Sequence, residues 1–218
     1  LNHKATYEEL SQANFDDIVV ATGVTPRELN FEGVDHPKVL SYIEVLKERK
    51  PVGKRVAVIG AGGIGFDTSE YLSHEGESGS LNPQKFYDEW GIDTDYSNVG
   101  GLKQPEVEAS EREIFLLQRK PTTVGAGLGK TTGWIHRAGL KNRDVQMIAG
   151  VSYEKVDDQG LHIIVNEKPM LLEVDNVVVC AGQEPFTAMF DQLKAEGKAV
   201  HLIGGAKEAG ELDAKRAI

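Results

Sequence analysis

Three glycines carry the clearest chemistry in this sequence. Gly60, Gly62 and Gly65 lie in Val56-Ala57-Val58-Ile59-Gly60-Ala61-Gly62-Gly63-Ile64-Gly65, where a glycine pattern follows an apolar strand and opens a helical stretch. That context, more than the glycines alone, points to a dinucleotide. Gly60 permits a tight turn, Gly62 lets the backbone approach a pyrophosphate, and Gly65 allows close helix–strand packing. Ala61, Gly63 and Ile64 complete the loop, whose amides and helix dipole suit a diphosphate. The bland alternative is a glycine turn that holds nothing.

The next strand, Ile114-Phe115-Leu116-Leu117, ends in Gln118-Arg119-Lys120. An NAD site usually carries an acid there to bond the ribose 2′-hydroxyl. Here two cations, Arg119 and Lys120, stand where a 2′-phosphate would fall, and a guanidinium can clamp phosphate with two parallel bonds. The pair favours NADPH over NADH; the alternative is a solvated basic turn. Gly125-Ala126-Gly127-Leu128-Gly129-Lys130-Thr131 mimics a P-loop, but that pattern needs glycine where Val124 stands, so an ATPase is rejected. This loop either wraps a cofactor phosphate or is a flexible turn.

No catalytic residue emerges. The six histidines show no metal spacing, so no metal site is expected. His136, beside Trp134, reads as a packing residue, and Cys180, within an apolar strand, as inert core. Among 218 residues Cys180 is the only cysteine, which excludes an internal disulfide and a thiolate-held iron–sulfur cluster and fits a reducing, cytoplasmic setting. A formal charge of −10 argues against a nucleic-acid partner. No apolar run is long enough for a membrane helix, and no signal peptide is evident, so no membrane partner is expected. The chain opens at Leu1 without an initiator Met and stops at Ile218 within a helical pattern, which reads as a piece of a longer polypeptide.

The elements that must position these groups follow from apolar runs and breakers. Strands are expected at Asp17–Ala21, Arg55–Ile59, Ile114–Gln118, Val145–Ile148 and Asn176–Ala181. Helices are expected at Ser41–Lys50, Gly63–His74 and Thr131–Leu140. Val151–Val156, Leu161–Val165 and Met170–Val174 read as a three-stranded antiparallel meander. Its breaks fall at Asp157-Asp158-Gln159-Gly160 and Glu167-Lys168-Pro169. Between Glu75 and Ser110 the chain turns polar and makes a long excursion, facing a neighbouring region or shielding the cofactor cleft.

One internal echo stands out. Asp16 to Pro26 and Val174 to Pro185 share an acid, an apolar strand, a small-x-Gly step (Ala21-Thr22-Gly23 against Cys180-Ala181-Gly182) and a closing proline. Two such units suggest two related nucleotide-binding domains; the alternative is chance likeness between two buried strands.

Taken together, Ile59 to Asp67, Leu116 to Lys120, Gly127-Leu128-Gly129-Lys130-Thr131-Thr132-Gly133-Trp134-Ile135-His136-Arg137 and Val179 to Pro185 resemble a known family. They look like the C-terminal part of the bacterial NADPH-dependent 2,4-dienoyl-CoA reductases, old-yellow-enzyme-like iron–sulfur flavoproteins. The likeness covers nearly the whole chain, including Glu89-Trp90-Gly91-Ile92-Asp93. It implies an α/β fold of the two-dinucleotide flavoprotein type. That fold is a Rossmann-like NAD(P)-binding domain with a parallel sheet and a three-stranded β-meander, flanked by partial FAD-binding segments. The implied division is 1–50 (partial FAD segment and linker), 51–185 (NADPH domain, with 75–110 inserted) and 186–218 (return to the FAD domain).

The resemblance also implies a role. NADPH would reduce FAD, and electrons would pass through a [4Fe–4S] cluster and FMN to a dienoyl-CoA of unsaturated fatty acid β-oxidation. FMN and the cluster would belong to an N-terminal flavin barrel that this chain lacks. That barrel is the expected partner, and the isolated chain is expected to be inactive. Ala21, Thr22, Gly23, Ala181, Gly182, Gly204 and Gly205 would lie along the cofactors. The family's usual Asp after the last glycines is replaced by Lys207 and Glu208, which puts flavin contacts there in doubt. Two rivals stay open: a nucleotide-holding or structural domain of a trimethylamine-dehydrogenase-like flavoprotein, and a non-catalytic nucleotide sensor.

Overall fold

The structure is a computed structural model in which residues 2–210 are described. The helix expected around Glu211-Leu212-Asp213-Ala214 lies outside them. The chain forms two compact units. One comprises Leu29–Ala181; the other combines the described residues up to Glu28 with those from Gly182 onward.

The second of these units begins with helix α1 (Tyr7–Gln12), capped by a Thr6–Glu9 box. Strand β1 (Ile18–Val20) and strand β2 (Val24–Pro26) follow. The larger unit then takes β3 (Val39–Ser41) and α2 (Tyr42–Leu46). Next come β4 (Arg55–Ile59) and α3 (Gly63–Ser73). Helix α4 (Pro83–Trp90) lies in the excursion, and β5 (Glu113–Gln118) follows it. Helix α5 (Gly133–Asn142) and β6 (Gln146–Ala149) lead into β7 (Val151–Asp157), β8 (Gly160–Val165) and β9 (Lys168–Leu172). Strand β10 (Asn176–Val179) closes the larger unit. The chain returns to the smaller one through β11 (Gln183–Pro185), α6 (Ala188–Ala195) and β12 (Val200–Leu202).

The larger unit is built on a five-stranded sheet of order β3-β10-β4-β5-β6 with every neighbour parallel. A parallel sheet covered on both faces should read as unbroken apolar runs, and β4 and β5 do. Alternate residues feed two cores. Val56, Val58, Ile114 and Leu116 pack with Phe66, Leu72 and Leu140 from the helices. Ala57, Ile59, Phe115 and Leu117 pack with Val151, Val156, Leu161 and Ile163 from the antiparallel sheet β7-β8-β9. The Rossmann-like α/β architecture and the meander are thus as expected.

Several boundaries moved. Residues 29–50 fall within the sheet-bearing unit because β3 pairs with β10, so that unit starts ahead of residue 51, and it closes at Ala181. Helix α2 is shorter than expected: it starts at the Ser41–Glu44 capping box but stops at Leu46. Thr25 and Pro26 lie in β2, which pairs antiparallel with β11. The tails of the two echoed segments therefore pair with each other, and proline is tolerated because each strand has only this one partner. Lys168 and Pro169, read as a break, begin β9. The turn is Asn166-Glu167, both at positive φ (51° and 62°), as tight hairpins require, and Pro169 sits on an edge strand.

In the smaller unit, β1 runs parallel to β12, and Ile18, Val20 and Leu193 form its core with α1 and α6 side chains around them.

Candidate dinucleotide-binding site

The glycine turn links β4 to α3 at the carboxyl edge of the parallel sheet. Gly60 adopts φ +106°, which favours glycine, and a Cβ there would lie 2.8 Å from the Cys180 carbonyl oxygen. Gly65 faces back across the turn: its Cβ would fall 1.7 Å from the Gly60 carbonyl oxygen, so no larger residue fits. Gly62 and Gly63 differ: among the described residues nothing lies within 4 Å of where a Cβ would be. The turn is tight below and open above.

That open side is the start of α3. The Phe66 amide donates to the Gly62 carbonyl at 3.1 Å, closing the first turn. The amides of Gly63, Ile64 and Gly65 precede that bond and have no intrahelical acceptor. Among the described residues no side chain caps this end, and the first turn holds no acid. Ala61 lies at the mouth, partly buried against the helix-side core. Such an end can take a diphosphate through free amides and the helix dipole. Ala181, two residues past β10, packs against Gly60, with its Cα 2.9 Å from where a Gly60 Cβ would be.

Arg119 and Lys120 sit just past β5 at the same edge, both exposed. Lys54, Arg55 and Arg143 are each paired with an acid, whereas Arg119 and Lys120 have no ion-pair partner among the described residues. Arg119 lies near the Tyr153 hydroxyl. Burial pushes that hydroxyl up to about 12, and the neighbouring guanidinium partly opposes the shift. Tyr153 went unnoticed in the sequence because its role depends on the meander folding back over β5.

The loop from Pro121 to Thr132 is ordered by packing. Gly125, at φ +75°, sits so close to the Phe66 ring that a Cβ would be 2.6 Å from it. Its carbonyl accepts from Arg137 Nη1 at 3.0 Å. Leu128 packs on the helix-side core. His136 Nδ1 lies 3.6 Å from a carboxylate oxygen of Glu70 on α3, at the surface.

Cys180 is buried, and its thiol donates to Thr68 Oγ1 at 3.5 Å. Burial pushes the thiol up to about 12, although the Thr68 contact opposes this. The thiolate that disulfide chemistry needs is strongly disfavoured there.

In the smaller unit, Ala21, Thr22 and Gly23 follow β1, while Gly204 and Gly205 follow β12. The strands are parallel, so both groups share one edge. The Ile203 amide donates to Val20 at 3.2 Å and draws them together. The Thr22 hydroxyl is already used, donating to the Phe186 carbonyl at 2.6 Å. Gly182, at φ +87°, would place a Cβ 3.3 Å from the Arg27 guanidinium.

The excursion lies elsewhere. It leaves after α3 and returns before β5, at the amino edge of the sheet, opposite the glycine turn. Arg112 anchors its exit, donating to the Gly53 and Leu72 carbonyls, both at 3.2 Å. The excursion therefore does not shield the glycine turn. It contains a helix that the sequence reading missed, although Asn82-Pro83 at its start and Gly91 at its end are helix-boundary residues.

The fold and the glycine turn are those of a dinucleotide-binding α/β protein. Residues 2–204 match the family model described as pyridine nucleotide-disulphide oxidoreductase, and the chain belongs to that family. It is 26% identical over 208 residues to a cinnamate reductase of Clostridium sporogenes, covering 95% of this chain and 26% of that protein. It is 25% identical over 217 residues to a metal reductase of Desulforamulus reducens, covering 93% of this chain and 30% of that one. The solved complex of 2-naphthoyl-CoA reductase with 2-naphthoyl-CoA superposes with a TM-score of 0.73 at 21% identity, over 97% of this chain and 27% of that one. The chain thus spans under a third of each of these proteins. Among the described residues, no helix is long and apolar enough to cross a membrane.

Proposed function

We propose that this chain is the nicotinamide-binding portion of a larger flavoprotein reductase and that its preferred nucleotide is NADPH. One observation carries the reading: an uncapped helix start behind an open glycine turn, with two unpaired cations and no acid at the end of the adjoining strand. Gly60 to Gly65 would receive the diphosphate. Arg119 and Lys120 would receive the 2′-phosphate, and Ala181 would line the path toward the nicotinamide. Ala21, Thr22, Gly23, Gly182, Gly204 and Gly205 would serve FAD.

NADPH, when bound, supplies a hydride to FAD. The protein's part is positioning and exclusion of water rather than acid–base work. The whole protein's substrate would be an unsaturated acyl-CoA, of the 2,4-dienoyl type in fatty acid β-oxidation. The relatives named for cinnamate and 2-naphthoyl-CoA reduction support a conjugated acid or thioester. FMN, a [4Fe–4S] cluster and a flavin barrel would belong to other parts of that protein, which would work in the cytoplasm.

The test is a fluorescence titration of the full chain with NADPH and NADH. Arg119→Ala is expected to weaken NADPH roughly tenfold to a hundredfold, the worth of charge-assisted bonds to phosphate, and to leave NADH nearly unchanged. Equal loss for both nucleotides would refute the phosphate assignment. FAD is expected to be held weakly by this chain alone, and tight FAD binding would contradict that part.

A further inference from the structure

We infer that Gln118 is a specificity-determining positioning residue: it holds the loop carrying Arg119 and Lys120 in the shape that receives a phosphorylated ribose. The inference rests on the NADPH reading above and adds the group that makes the selection possible.

Gln118 closes β5 at the place where an NAD site keeps its acid. Its side chain is turned into the following loop. Nε2 donates to the Lys120 and Thr122 carbonyls, both at 2.9 Å, and lies 3.3 Å from Thr122 Oγ1. Oε1 accepts from the Gly125 amide at 3.4 Å. Two carbonyls accept only from nitrogen and an amide N–H donates only to oxygen, so these partners fix which way the amide points.

Two consequences follow. Gln118 Oε1 is turned into the loop toward the Gly125 amide, and as a neutral amide it offers a ribose hydroxyl less than the carboxylate an NAD site keeps there, so the contact that would reward NADH is weakened. Meanwhile the backbone beside both cations is clamped. The Lys120 carbonyl also accepts from the Gly150 amide at 3.2 Å, and Gly125 is held by the Phe66 ring and by Arg137. Arg119 thus projects from a backbone pinned on both sides, which lowers the ordering cost of closing on phosphate.

The experiment compares NADPH and NADH affinity of the full chain for wild type, Gln118→Ala and Gln118→Glu, with thermal unfolding measured alongside. Gln118→Ala is expected to weaken NADPH about tenfold, the order of a lost set of neutral hydrogen bonds, and to leave NADH within about twofold. Gln118→Glu keeps the size, turns a repelling oxygen toward the two carbonyls and sets an acid beside the ribose, so the NADPH:NADH preference should fall further. It also decides the matter if Gln118→Ala does not fold. A wild type that prefers NADPH, with variants that keep the preference or lose both nucleotides equally, overturns the role of Gln118 alone. A wild type with no preference overturns the phosphate reading and this inference together.

Discussion

The two ends of the parallel sheet treat polar groups in opposite ways. At the carboxyl edge, among the described residues, the first amides of α3 have no side-chain cap and the Arg119 and Lys120 side chains have no ion-pair partner. At the amino edge the polar groups of the excursion are paired, in part with Arg143 at the end of α5. Arg143, only 3% exposed, pairs with Glu89 at 2.5 Å and donates to the Glu108 carbonyl at 3.2 Å. Asp93 accepts from the Asn98 amide at 2.8 Å and from its side chain at 2.9 Å, and these bonds hold its carboxyl below the usual carboxylate range. Asp88 takes Lys103 and Gln84. The contrast separates groups that maintain a shape from groups that are free to take a ligand, since a polar group away from water needs a partner and an unpaired one at a surface can find one.

If that contrast holds, breaking the amino edge should cost stability and spare binding. Arg143→Met leaves Glu89 without its counter-charge and should destabilise the fold by about 3–5 kcal/mol, measured by denaturant unfolding. NADPH affinity at temperatures where the variant stays folded should not move; a large loss there would mean that the two edges are coupled. A smaller effect on stability is expected at the glycine turn. Gly65→Ala places a methyl group against the Gly60 carbonyl and should cost on the order of 3 kcal/mol while abolishing detectable NADPH binding. A variant that binds normally would show that the turn is not where the diphosphate sits.

The smallest effect sharpens the contrast from within the carboxyl edge. Glu44, at the start of α2, is a paired group on the binding side. Lys50 first, then the Ser41 amide and hydroxyl, hold its carboxyl down at about 2, against an ordinary 4.5. The folded state therefore favours the carboxylate. The stability this brings is present above about pH 4.5 and is lost as pH falls toward 2. Because the pair is partly open to water, Glu44→Gln should cost only about 1 kcal/mol at neutral pH. It should also flatten the acid limb of the stability profile and leave NADPH binding unchanged. An unaltered acid limb would remove Glu44 from the account.

Much of this was legible in the residues. β4, β5 and the glycine turn could be read because both faces of the sheet are buried, and a strand buried on both faces leaves an uninterrupted apolar run. The meander was legible from Asp157-Asp158-Gln159-Gly160. Its second turn was misplaced by two residues because Pro169 looks like a breaker until one knows that its strand lies on an edge. Helix α4 was missed although its boundary residues were in plain view, because it is short and buries little.

What the sequence determined by itself was local: which segments are apolar on both sides, where backbone must turn without a Cβ, and that cations rather than an acid follow β5. The tertiary structure alone decided which end of the sheet each feature occupies. It sent the excursion to the far edge and paired β2 with β11. Those outcomes depend on contacts between residues distant in the chain, and local spacing does not encode them.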